Sequence, residues 1–122
     1  MIRVLVVDDE IEACNALKEF FGSKDCGVET ALDGKTALEK IEEFGPHIVF
    51  LDVIMPGMGG MDVLREIANT HPEICVVMTT AVIDEETAQL AKQLGAYDYV
   101  TKPIDLSYLD TVLLVKKTET LS

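Results

Sequence analysis

The stretch MIRVLVVDDE, residues 1–10, is a nearly unbroken aliphatic segment that stops on two adjacent carboxylates and a third acid. A run that is apolar throughout, here Ile2–Val7, reads as a strand covered on both faces, and such strands belong to parallel sheets sandwiched between helices. The acids at its end have two explanations. Asp9 with Glu12 three residues later fits a helix-capping pattern. Asp8 and Asp9 together, delivered by a buried strand to its own end, fit a cation site. The rest of the chain has to decide between them.

Four further apolar runs follow, Val28–Leu32, His47–Leu51, Ile74–Met78 and Tyr97–Val100. Between them the period changes. Ile11, Cys14, Leu17 and Phe21 form one helical face, and Ala37, Leu38, Ile41 and Phe44 form a second. Met61, Leu64 and Ile67 mark a third helix, Ala88, Ala91 and Leu94 a fourth, and Leu106, Leu109 and Leu113 a fifth. Gly22, Gly45 and Gly95 fall where helices should stop, and Pro46 and Pro72 prevent continuation. In the fifth helix Val112–Val115 are four apolar residues in succession and sweep most of the way round at 100° per residue. With Leu109 and Leu113 facing the sheet, Leu114 or Val115 must point away. Strands alternating with helices in this length predict an α/β fold, an open, doubly wound five-stranded parallel sheet.

Composition narrows the function. A chain of 122 residues with 48% hydrophobic residues is one domain with a real core. The formal charge of −12 repels nucleic acid and anionic lipid and attracts cations and basic surfaces. No apolar run approaches the roughly 18–20 residues that cross a bilayer, and the apolar stretch before the first acids is too short for a signal peptide. A cytoplasmic protein with no direct nucleic-acid or membrane contact is expected. Cys14, Cys26 and Cys75 form no CxxC pair, Cys14 and Cys75 sit in apolar patterns, and His47 and His71 stand alone, which argues against zinc.

In doubly wound sheets, ligands sit beyond the carboxyl ends of the strands. Asp8 and Asp9 follow the first strand, Asp52 the third in FLDVIMPGMGG, Thr79 and Thr80 the fourth in MTTAV, and Lys102 and Pro103 the fifth in YVTKP. Each has an ordinary explanation alone: a cap, a turn former, a surface lysine. For the fourth helix Asp84 is a better placed cap than Thr80. Gathered at one edge they mean something else. Two carboxylates about 4 Å apart repel by roughly 4 kcal/mol at an effective dielectric near 20, so the cluster calls for cations. Lys102 supplies one charge. A hard divalent ion with oxygen ligands, Mg²⁺ or Mn²⁺, would supply two more. A carboxylate facing a metal, an ammonium and a hydroxyl has the parts for phosphoryl transfer.

With VVDDE, LDVIMPGMGG, TTA and GAYDYVTKP in register, the chain closely resembles the receiver domain of two-component response regulators, from Ile2 to about Lys117. The resemblance implies a CheY-like, flavodoxin-like sheet with strand order 2-1-3-4-5. It also implies Asp52 as phosphoacceptor, and Asp8, Asp9, Asp52 and the backbone carbonyl of Ile54 as Mg²⁺ ligands. Lys102 matches the lysine that contacts the phosphoryl group, before a Lys102–Pro103 bond usually cis. Thr80, followed by Ala81, matches the hydroxyl that reorients, and Tyr99 the aromatic switch. Thr79 points to the opposite side of a regular strand, so only one of the two threonines can reach the site.

The partners so implied are a histidine kinase or histidine phosphotransfer protein, a downstream effector, and a second copy through the face of the fourth helix, fifth strand and fifth helix. A phosphorelay switch is expected that catalyses only its own phosphorylation and dephosphorylation, as a single domain over residues 1–122 without an output domain. Ile104 replaces a more frequent Phe, and Ile54 and Val82 are apolar where the family tunes dephosphorylation. A haloacid-dehalogenase-type phosphatase would need an acid two residues after Asp52, where Ile54 stands. An FMN binder would want a Ser/Thr/Gly-rich loop where VDDE stands, and GMGG at 57–60 lacks dinucleotide-loop spacing. A pseudo-receiver that only docks partners, the non-phosphorylated alternative, would be expected to have lost one of these acids or Lys102, and none is missing.

Overall fold

In the computed structural model, which describes residues 1–121, strands and helices alternate throughout. In chain order they are β1 (Arg3–Val7), α1 (Ile11–Gly22), β2 (Gly27–Ala31), α2 (Gly34–Phe44), β3 (Ile48–Asp52), α3 (Gly60–Thr70), β4 (Cys75–Thr80), α4 (Glu85–Gln93), β5 (Asp98–Thr101) and α5 (Leu106–Leu121). The sheet is parallel throughout, in the order β2-β1-β3-β4-β5.

The two-residue period of a strand sorts its side chains into two cores. On one face Val4, Val6, Ile48, Phe50 and Val77 pack with Cys14 and Phe21 of α1 and with Leu109, Val112 and Leu113 of α5. On the other, Leu5, Val7, Val49, Leu51, Met78 and Tyr99 pack with Ile41 of α2, Leu64 and Ile67 of α3, and Ala91 of α4. Phe21 lies against Phe50 with ring centroids 5.4 Å apart. Truncating a side chain as buried as Leu109, at 0% exposure, would cost about 2–5 kcal/mol.

Several local expectations shift. Asp52, Thr79 and Thr80 lie inside β3 and β4 rather than after them, because the backbone ladder carries on where the apolar run ends: Asp52 is paired with Thr79, and the Val53 N–H donates to the Thr79 carbonyl at 2.9 Å. Asp9 is not the cap of α1. The N-cap position belongs to Glu10, whose side chain makes no capping bond, and the Glu10 N–H donates instead to Asp8 Oδ1 at 2.9 Å. Ile11 is exposed, not part of the buried face of α1. Gly22 ends α1 inside the helix, and the left-handed turn that follows falls on Asp25 at φ 61°. Asp84 does cap α4, accepting from the Thr87 N–H, and Gly45 closes α2 in the left-handed region at φ 62°. Leu113 is buried and Leu114 is 65% exposed, the split that the four-residue apolar run demands.

Candidate functional site

Carrying the strand period two residues past the core places the site. Val4 and Val6 lead to Asp8, Ile48 and Phe50 to Asp52, Val77 to Thr79, and Val100 to Lys102, all on the α1/α5 face. Met78 leads to Thr80, on the other face with Tyr99. Four chemistry-bearing side chains therefore arrive at one corner of the sheet because each continues a packed row.

At that corner Lys102 Nζ lies 2.6 Å from Asp8 Oδ2 and 3.2 Å from Asp52 Oδ2, with Glu10 Oε1 farther off at 3.7 Å. Asp8 and Asp52 are buried, at 4% and 5% exposure, while Asp9 and Glu10 face solvent. Asp52 Oδ1 also accepts the Ile54 N–H at 3.3 Å. Burial, reinforced by the Asp8 charge, pushes the Asp52 carboxyl up to about 6 against the pull of Lys102 and the Ile54 N–H. Burial works against the Lys102 charge, but its hydrogen bond to Asp8 and the charges of Asp52 and Asp8 outweigh it and hold the ammonium above the ordinary lysine value. The peptide bond between Lys102 and Pro103 is cis.

Carboxylate oxygens of Asp8, Asp9 and Glu10 all lie within 4.8 Å of one another. An all-oxygen donor set with two solvent-facing members and room for water suits a hard divalent ion. Asp52 stands outside that trio and is joined to Asp8 through Lys102. Glu10 was absent from the expected ligand set. Its signal was the third acid of VVDDE, which the turn after β1, closed by the Glu10 N–H on Asp8 Oδ1, keeps beside the other two.

The two threonines separate. Thr79 is the register partner of Asp52 and lines a cavity with Asp8 and Lys102. The Thr80 hydroxyl donates to the Val82 carbonyl at 3.0 Å, and Tyr99 is buried. A contact that no sequence pattern announces ties this region together: Asp98 accepts the Tyr99 N–H at Oδ1 and the Tyr108 hydroxyl at Oδ2, both within 2.8 Å. Ile54 and Val82 are among the most exposed apolar side chains, at 74% and 75%.

The family profile of the response regulator receiver domain matches residues 4–114. Regulatory protein AtoC of Escherichia coli is 35% identical over 111 residues, 91% of this chain and 24% of its own length. Protein-glutamate methylesterase/protein-glutamine glutaminase 5 of Myxococcus xanthus is 41% identical over 87% of this chain and 31% of its own length. The chain thus spans a third or less of these relatives. Among solved structures, the receiver domain of NtrX from Brucella abortus superposes with a TM-score of 0.84 at 35% identity, covering 93% of this chain and 96% of that one. A CheY-like receiver domain protein from Methanospirillum hungatei JF-1 gives 0.91 at 25% identity, covering 98% and 95%. The chain belongs to the response regulator receiver domain family, with the CheY-like fold that its sheet order displays. It is a signalling domain of two-component systems. Among the described residues, no helix is long and apolar enough to cross a membrane.

Proposed function

We propose that Asp52 accepts a phosphoryl group from a phosphohistidine of a histidine kinase or phosphotransfer protein, and that the acyl phosphate switches what the domain binds. The observation that carries this is the Lys102 ammonium held between Asp8 and Asp52 at the carboxyl edge of the sheet. An Asp52 oxygen attacks phosphorus, an O–P bond forms, the P–N bond breaks, and the imidazole leaves with the electron pair. Asp52, with its carboxyl pushed up to about 6, is mostly ionised at neutral pH and more basic than an ordinary aspartate, which favours attack. Lys102, released from part of its bonding to Asp52, turns its charge to the transferred group. Asp8 and Asp9, with Glu10 beside them, would hold a Mg²⁺ ion, which supplies charge neutralisation at the phosphoryl oxygens when bound.

The signal passes to the other face of β4. The Thr80 hydroxyl exchanges the Val82 carbonyl for a phosphoryl oxygen, and Tyr99 follows. Charge-assisted hydrogen bonds are worth roughly 1.5–3 kcal/mol each, and moving an equilibrium from about 1:99 to 99:1 takes about 5.5 kcal/mol, so two or three contacts suffice. The surface of α4, β5 and α5, with Leu114 exposed, is the face for an effector or a second copy. Exposed Ile54 gives no acid two residues after Asp52 to serve an external phosphoester, so the chemistry is confined to the domain's own phosphate. Incubation with a small phosphodonor and Mg²⁺ should add one phosphoryl group by intact mass, and Asp52→Asn should accept none. Undiminished labelling of that variant refutes the assignment.

A further inference from the structure

At the edge of the sheet opposite Asp52, where β1 and β3 begin, an open cavity of about 550 Å³ gathers positive charge in a chain of formal charge −12. Arg3 of β1, His47 just before β3, Lys24 in the turn after α1 and Lys117 near the end of α5 all line it. Among the described residues, Asp25 is the one acid on the lining. Two of the cationic or donor groups are fixed in place. The Arg3 N–H donates to His47 Nδ1 at 2.9 Å, and the His47 N–H donates to the Arg3 carbonyl at 2.9 Å. With Nδ1 accepting, the neutral ring carries its proton at Nε2 and can donate there. The Arg3 side chain is anchored through Nε, which donates to the Gly45 carbonyl at 2.8 Å, while neither Nη has a protein partner among the described residues.

The two lysines are the adaptable part. Lys117 forms no ion pair among the described residues, and Lys24 has only Asp110, 3.4 Å away with both side chains exposed, a weak pairing that a ligand can displace. Burial first, and then the charges of Arg3, Lys116 and the N-terminus, hold His47 below the ordinary histidine value, so the positive charge around the ring is not compensated by the fold. An anion would compensate it. A phosphomonoester brings close to two negative charges and three acceptor oxygens on one atom, enough for a guanidinium fork, an ammonium and an imidazole N–H together. A carboxylate brings one charge and two oxygens. An extended polyanion would also meet the acidic remainder of the chain, and screening over about 8 Å confines the attraction to the cluster itself. We propose that this cavity binds the phosphate group of a small phosphomonoester among Arg3, Lys24, His47 and Lys117. Such a ligand would join the last turns of α5 to the start of β1. It would touch neither Asp52 nor the acids of the metal site, so the site stands apart from the phosphorylation reading.

The test titrates the protein with phenyl phosphate and with phenylacetate, in EDTA at constant ionic strength. Phenyl phosphate should shift the backbone amides of Cys26, His47 and Lys117 saturably in NMR. It should also raise the midpoint of the His47 imidazole titration, because a bound dianion favours the imidazolium. Phenylacetate should bind about tenfold more weakly or worse. Arg3→Gln and Lys117→Gln should each weaken phenyl phosphate about fivefold or more, the loss of one charge-assisted hydrogen bond. They lie on separate elements, so one remains informative if the other fails to fold. Lys35→Gln removes an exposed lysine of α2 away from the cavity and should leave binding unchanged. Phenylacetate binding as tightly as phenyl phosphate, equal losses in Lys35→Gln and Lys117→Gln, or shifts centred on Asp8, Asp52 and Lys102 would overturn the proposal. So would an unmoved His47 midpoint at saturation, or the same amides responding to a hexaglutamate peptide and not to phenyl phosphate.

Discussion

Asp52→Asn should make the protein more stable, not less, when no divalent ion is present. The Asp52 carboxyl rises from 3.8 to about 6 in the folded chain, chiefly through burial and then through the Asp8 charge. An acid raised in this way costs the fold nothing below its unfolded value and the full amount above its folded one. Between them the folded chain still holds a proton that the unfolded chain has released, so stability falls as pH rises from about 4 to about 6. At 1.36 kcal/mol per pH unit the full cost is about 3 kcal/mol. Asparagine keeps an acceptor for the Ile54 N–H but presents no charge to Lys102, and losing one hydrogen bond returns about 1 kcal/mol. The expected net gain is about 2 kcal/mol at pH 7.5 in EDTA, shrinking towards zero or below near pH 4. Urea unfolding of parent and variant at both pH values measures it. A variant less stable than the parent at pH 7.5, or a difference that ignores pH, would refute the reasoning that burial and Asp8 strain this carboxylate. Saturating Mg²⁺ at Asp8, Asp9 and Glu10, which the variant keeps, should stabilise parent and variant alike, by about 2.7 kcal/mol at about 100 times its Kd.

Lys102→Met leaves Asp8 and Asp52 buried without their shared cation and should cost about 3–5 kcal/mol in urea unfolding at neutral pH, with part recovered at pH 5 as Asp52 takes up a proton. Gly60→Ala puts a Cβ into the Asp52 carbonyl oxygen, so the β3–α3 loop must move. A loss of about 1–3 kcal/mol with slower phosphodonor labelling is expected, and unchanged values for both would mean the loop gives way freely. His71, bonded at Nε2 to Glu42 at 2.7 Å and beside Glu73, is held above the ordinary histidine value by the Glu42 hydrogen bond despite some desolvation. The α2–α3 clamp it forms is therefore fully present below pH 6.5 and lost as pH rises through the folded value. Imidazole NMR titration should show the midpoint fall in Glu42→Gln.

The architecture was legible because burial writes itself into the chain directly. Val4, Val6, Ile48, Phe50 and Val77 had to be apolar to pack, and Leu109 and Leu113 had to share a helical face. The ends of strands were harder to read. Asp52, Thr79 and Thr80 are held in the sheet by backbone hydrogen bonds, which leave no trace in side-chain polarity. Asp9 carried the sequence pattern of a cap, but a cap is decided by backbone direction, and the turn after β1 gave that place to Glu10. The partnership of Lys102 with Asp8 joins residues 94 apart in sequence, and only the sheet order brings them together. The bond between Asp98 and Tyr108 likewise depends on where α5 settles on β5, which periodicity does not specify.

Which acid at this corner takes the phosphoryl group is the most direct question to put to the protein. Phosphodonor-treated protein reduced with borohydride converts an aspartyl phosphate to homoserine, and peptide sequencing by mass spectrometry then locates it. Conversion at residue 52 alone, dependent on Mg²⁺, is the expected result. Conversion at Asp8 or Asp9, or none in a folded sample that binds Mg²⁺, would contradict the assignment of Asp52 as the phosphoacceptor.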